Sequence, residues 1–230
     1  MQRGSGATSS WRDRSKDSRS LACIEVALGG AIVIGHNVFD VLPNEVPILV
    51  GLALVSIALR RGGFAALGFR RPDSWKRIAT IALAAAALRI ALGEFVVDPL
   101  TALAWPPAVA PAGVESIAGD WRTAMLYLGI VWSFAAFGEE IGYRGYLMNR
   151  AADIGGRTRR AEWIAVVFSA ILFGLGHYYK GPSGIVDSGV AGLVLGAAYL
   201  VSGRTLWTTI LAHGFIDTFG IAALYFGWDS

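Results

Sequence analysis

The chain alternates long apolar runs with short polar breaks. Apolar blocks occupy Leu21–Phe39, Val46–Leu59, Ile78–Val97, Thr123–Leu147, Trp163–Tyr179, Gly184–Val201 and Leu206–Phe226. Most approach the ~20 residues that a helix needs to cross ~30 Å of hydrocarbon at ~1.5 Å per residue. The second block is short and needs its flanking residues to span. Within the blocks the apolar residues run on without a period of two, and a bilayer admits only helices or closed barrels. The pattern therefore predicts an all-α, polytopic transmembrane bundle of seven spans. The segment Thr101–Asp120, with Pro106, Pro107 and Pro111, reads as an outer loop or a partly embedded hairpin, with an eighth span as the alternative.

Composition supports this class. Of 230 residues, 54% are hydrophobic and only 16% charged, with a mean hydropathy of +0.52. Soluble domains carry about 25% charged residues, so this chain lacks the polarity for a water-facing surface. The 29 glycines suit close helix packing in lipid, and Gly189, Gly192 and Gly196 are spaced for it. The single cysteine, Cys23, excludes an intrachain disulfide and reads as a buried, inert thiol.

Charge orients the bundle. Residues 1–20 are polar and basic, with Arg3, Arg12, Arg14, Lys16 and Arg19. They read as a disordered cytoplasmic tail preceding one transmembrane domain over 21–230. Arg60, Arg61, Arg70, Arg71, Lys76, Arg77, Arg150, Arg157, Arg159, Arg160 and Arg204 fall in loops on the tail's side. Asp40, Glu45, Asp98, Glu115 and Asp120 fall opposite, against only Arg122 and Lys180. By the positive-inside rule the N-terminus is cytoplasmic and the C-terminus outside. Richness in Ala, Gly and Arg points to a bacterial cytoplasmic membrane. Nothing in this pattern suggests nucleic-acid binding.

Ionisable groups inside spans are costly and mark functional sites. Glu139 and Glu140 are adjacent in the fourth block. Arg144 stands four residues after Glu140, on the same helix face, placed to pair with it. Glu139 points elsewhere and is left free as a general base; a purely structural ion cluster is the competing reading. Phe173-Gly174-Leu175-Gly176-His177 adds an imidazole. His213-Gly214-Phe215-Ile216-Asp217 adds another, with Asp217 one turn on and placed to orient it. Glu25 and His36 lack a motif around them. Arg89 and Glu94 are expected to pair with each other or with loops, and Asp187 to cap or sit at the interface.

Taken together, Glu139-Glu140-x-x-x-Arg144, Phe173-x-x-x-His177 and His213-x-x-x-Asp217 resemble the CPBP family over 138–217, in the same order and spacing. These are the type II CAAX prenyl proteases and their bacteriocin-processing relatives, also called ABI. The resemblance implies an intramembrane endopeptidase with a polar cavity between helices, acting on a peptide or protein substrate, lipidated in the eukaryotic members. It implies that Glu139 activates water, that His177 assists, and that His213 and Asp217 stabilise the oxyanion or position substrate. Glu140 and Arg144 would hold the architecture. Eukaryotic members carry Asn where this chain has Asp217, and an ionised Asp cannot donate a hydrogen bond. The same residues admit two chemistries: a zinc ion on Glu139, His177 and His213, or metal-free attack by glutamate-activated water. The absence of a separate general base beside a ligand set favours the metal-free one. Two rival readings remain: a rhomboid-type serine protease using Ser183, in Gly181-Pro182-Ser183-Gly184, with His213; and a non-proteolytic binding or immunity scaffold.

Overall fold

A computed structural model describes residues 18–228. The N-terminal tail expected over 1–20 lies outside that range, except that Ser18 caps the first helix and Arg19 and Ser20 begin it. Seven long helices make up the described residues: α1 (Arg19–Asn37), α2 (Glu45–Arg60), α3 (Trp75–Thr101), α4 (Trp121–Ile154), α5 (Arg159–Leu175), α6 (Gly181–Val201) and α7 (Leu206–Phe226). They match the seven apolar blocks closely. Five, with α2 and α5 excepted, are long and apolar enough to cross a membrane by themselves. Residues 102–120 form no spanning helix. They make turns and one short 3₁₀ segment (Val114–Ile117) that folds back over the bundle end.

Polar residues at the breaks start the helices. The Asn44, Ser74, Asp120 and Thr158 side chains each accept a backbone N–H from the first turn of α2, α3, α4 and α5. Asp120 also accepts from the Thr123 hydroxyl, which holds its carboxyl below the usual carboxylate range. At the other end of α5 the predicted boundary is too long. The helix stops at Leu175, and His177 lies in the turn that follows. Gly176, at the start of the turn, leaves room for the Tyr143 hydroxyl, which a Cβ there would meet at 2.5 Å.

α4 is the central element. It packs between α2 and α7, and α5 packs on α6. Small residues set both contacts. A Cβ on Gly138 would meet Val46 at 2.7 Å, and one on Gly142 would meet Leu49 at 3.0 Å. A Cβ on Gly192 would meet the Ala170 Cα at 2.8 Å, so the glycines of α6 do serve helix packing. Much of α4, Val131–Met148, is wound wider than an α-helix, with i→i+5 hydrogen bonding. Such winding is rare and concentrates at functional sites; here it carries Glu139, Glu140 and Arg144.

The polarity of the bundle is inverted. Leu54, Leu83, Leu88, Leu126, Ile164 and Ile171 face outward, while Glu25, Arg60, Glu140 and Arg144 are buried. That arrangement suits a hydrocarbon surround. Cys23 belongs to the outward face and is exposed, contrary to its reading as a buried thiol; it follows Ala22 on α1 but points away from the packed side. Glu45, assigned from sequence to an outer loop, is instead buried in the first turn of α2.

Candidate active site

Glu140 and Arg144 are both fully buried, and their i,i+4 pairing forms as the spacing predicts: Arg144 Nη1 donates to Glu140 Oε1 at 2.6 Å. The guanidinium also donates to the Gly192 carbonyl at 3.3 Å and lies over the Phe173 ring at 4.5 Å. One arginine thereby ties α4 to α5 and α6. Such charge-assisted bonds offset part of the desolvation of both ions.

The same Glu140 oxygen lies 2.9 Å from His213 Nδ1. A carboxylate in this role only accepts, so Nδ1 carries the hydrogen and Nε2 faces the other way. Asp217 Oδ2 lies 3.6 Å from Nε2, within ion-pair range but too far for a hydrogen bond. Glu140, rather than Asp217, is the group whose hydrogen bond sets the tautomer of His213. This corrects the expectation drawn from the one-turn spacing of His213 and Asp217. The partner comes from another helix, 73 residues away, where no local pattern points to it.

His177 is fixed by the end of its helix. Nδ1 lies 2.9 Å from the Phe173 carbonyl oxygen, one of the carbonyls left without an intrahelical partner. In the neutral ring Nε2 then carries the lone pair. Phe173 sits edge-on to His213, with ring centroids 5.9 Å apart, and 4.9 Å from the His177 ring. The aromatic ring is thus the spacer between the two imidazoles.

His177, His213 and Asp217 line a cavity of about 430 Å³, together with Phe173, Arg89 and Lys180. The volume is in the range of small-ligand and peptide side-chain pockets. The 102–120 loop covers part of it through Pro111, Val114 and the fully buried Ile117. That loop is anchored by Val109 N–H to the Lys180 carbonyl at 2.9 Å and by the Ser183 hydroxyl to the Pro106 carbonyl at 2.6 Å. Ser183 is therefore a strut for the loop. It makes no hydrogen bond to His213, and the serine–histidine reading has no dyad to rest on.

Glu139 stands beside this cavity but is not among the residues that line it. It is half-buried, with Oε2 sealed and unpartnered. His213, Asp217, Glu140 and Arg144 are the charged groups around it. The structure thus gathers Glu140, Arg144, His213 and Asp217 into one polar cluster, with Glu139 adjoining it and His177 across Phe173. Among the described residues no three His, Cys, Asp or Glu side chains converge to hold a metal. With Nδ1 of both histidines committed, Nε2 is the nitrogen that either could offer a zinc ion, and on His213 that atom faces Asp217.

Tyr143 escaped the sequence reading, as did the partners of Glu45 and Arg89. Tyr143, inside the first motif, donates its hydroxyl to Glu45 at 3.2 Å and stacks edge-on to Phe173. Its position between Glu140 and Arg144 was the available signal. Glu45 in turn lies 3.4 Å from His36 Nε2. Arg89 pairs with Asp187 rather than with Glu94, its Nη2 lying 2.6 and 2.5 Å from the two carboxylate oxygens. Both line the cavity.

Residues 121–219 match the family model described as Rce1-like, type II CAAX prenyl endopeptidase. The match starts at α4, ends within α7 and contains all six motif residues, in agreement with the CPBP resemblance. Over this stretch the chain is similar to type II CAAX prenyl endopeptidases. No curated protein and no solved structure matches it.

Proposed function

We propose that this protein is an intramembrane endopeptidase that hydrolyses a peptide bond with a water activated by Glu139. The observation that carries the reading is the Glu140 carboxylate shared between Arg144 and His213. It locks one face of His213 and leaves the other toward the cavity, where a substrate carbonyl can enter.

Glu139 takes a proton from water as the oxygen attacks the scissile carbonyl carbon. The resulting oxyanion is stabilised by the His213 side of the cluster, and Asp217 balances the charge on that imidazole. His177, through its free Nε2, orients the attacking water. Collapse of the tetrahedral species breaks the C–N bond, and Glu139 returns the proton to the leaving amine. Every group used in these steps belongs to the chain.

All seven helices span, with the N-terminus cytoplasmic, in a bacterial cytoplasmic membrane. α2 and α5 complete their spans with flanking residues. The cavity lies at the end that carries Lys180 and the 102–120 loop, opposite the arginine-rich end. A substrate segment, lipidated or not, enters from that side. The test is cleavage of membrane and prenylated peptides by the purified protein and by His177→Ala. Loss of cleavage by roughly 10²-fold or more in a folded variant is expected for an assisting imidazole. Undiminished cleavage would remove His177 from the chemistry.

A further inference from the structure

At the bundle end away from the cavity, the start of α3, the turn between α6 and α7 and the loop after α2 enclose a second polar pocket of about 290 Å³. Its walls include Arg70, Arg71, Arg77, Ser74, Ser202 and Thr205, with Asp73 as the one acidic group. Three arginines against one aspartate leave a surplus of positive charge. The loop is held in place: the Leu206 N–H donates to the Gly68 carbonyl at 3.0 Å, and Arg77 reaches the Val201 carbonyl at 3.4 Å. Gly68 has φ +102°, and a Cβ there would meet the Arg204 carbonyl at 3.1 Å, so this close approach requires glycine.

Two helix N-termini converge on the pocket. Ser74 caps α3, and Thr205 is the N-cap residue of α7. Thr205 is 5% exposed, makes no capping hydrogen bond, and its Oγ1 is buried without a partner. A buried hydroxyl left unsatisfied is costly, and threonine at an N-cap ordinarily caps its own helix. An acceptor in the pocket would satisfy it. Arg71 has no hydrogen bond or ion pair of its own among the described residues. Helix N-termini, forked guanidinium donors and hydroxyls are the groups that recognise phosphate.

From this convergence we infer that the pocket binds a phosphate group, that of an anionic phospholipid headgroup or of free phosphate. The exposed Trp75 beside it, and the apolar helices below, suit a headgroup at the membrane interface. Because none of these residues lines the cavity of the candidate active site, the inference stands apart from the proposed reaction.

The experiment uses the full chain purified in neutral detergent. Phosphatidylglycerol micelles, phosphatidylcholine micelles and inorganic phosphate are titrated separately while the thermal unfolding midpoint is followed. A midpoint rise with phosphatidylglycerol alone assigns a lipid headgroup; a rise with inorganic phosphate as well assigns a phosphate site open to both. In either case Arg71→Ala/Arg77→Ala should raise the half-saturating concentration roughly tenfold or more, since charge-assisted hydrogen bonds are lost. Thr205→Val should raise it by a smaller factor. Lys76→Ala, a neighbouring cation outside the pocket, should leave it unchanged. The inference is overturned if neither phosphatidylglycerol nor phosphate shifts the wild-type midpoint, if the double variant responds like wild type, or if Lys76→Ala weakens the response as much as the double variant.

Discussion

Two clusters of buried charge sit at opposite ends of this bundle, and they differ in what they can do with a proton. At the cavity, Glu139, Glu140 and Asp217 surround one arginine, Arg144, and one imidazole, His213. At the other end, Arg60 and Arg150, with the exposed Arg157 at the rim, surround Glu25 and Asp153; Arg60 pairs with Glu25, and Arg150 with Asp153 at 3.1 Å. Arginine stays protonated in proteins, so the second cluster is a fixed lattice of charge. The first has a surplus of carboxylates beside a histidine, the side-chain type that ordinarily changes charge near neutral pH. None of Glu25, Arg60, Arg150 and Asp153 lines the cavity. Buried charge inside a membrane bundle is therefore not enough to mark chemistry; the mix of groups and the adjoining cavity distinguish the two ends.

The comparison breaks or sharpens under substitution. Removing Glu140 with Glu140→Ala strands the Arg144 guanidinium and should cost about 3–5 kcal/mol of stability, together with cleavage. Glu25→Ala in the fixed lattice should cost a similar amount, with Arg60 deprived of its closest partner, yet leave cleavage per folded molecule near the wild-type value. Unfolding in detergent and specific activity measured on the same samples separate these outcomes. Loss of cleavage in fully folded Glu25→Ala would erase the distinction between the clusters.

Packing effects come next. Gly192→Val places branched carbon against the Ala170 backbone, where even a Cβ has only 2.8 Å, and should destabilise the α5–α6 contact by about 1–3 kcal/mol. It also disturbs the carbonyl that receives Arg144, so cleavage should fall with stability. Ser183→Ala loses one hydrogen bond to the covering loop, about 1 kcal/mol, with cleavage essentially kept; abolished cleavage would instead revive a serine nucleophile.

The smallest effect is electrostatic and lies outside the membrane. Asp120 has its carboxyl held down by the Thr123 hydroxyl and the Arg122 backbone N–H. A depressed folded-state value means that its contribution is complete above the unfolded carboxylate value and fades as pH falls through the folded one. Asp120→Asn should flatten the acid limb of the stability profile slightly and leave the neutral range unchanged.

Much of the fold was legible because the signal was local. Apolar runs gave the helices, and α7 was bounded at Leu206 and Phe226 as observed. The Glu140–Arg144 pair followed from a four-residue spacing. What escaped involved either helix ends or partners distant in sequence. His177 looked like a position on a helix face because the apolar run continues past it, yet the helix ends at Leu175. Glu140 as the partner of His213, and Asp187 as the partner of Arg89, lie 73 and 98 residues away, and no periodicity carries that information. Cys23 misled because burial habits learned in water do not hold where lipid covers the apolar face.

The most direct measurement on the central claim is Glu139→Gln, assayed for peptide cleavage and thermal unfolding in one preparation. Glu139 Oε2 is buried and unpartnered, so replacing the carboxylate by a neutral amide should leave stability unchanged or raise it. Removing the general base should cut cleavage by roughly 10²–10⁴-fold. Folded Glu139→Gln that cleaves like wild type would contradict the account and leave the cluster as architecture, in keeping with a binding scaffold.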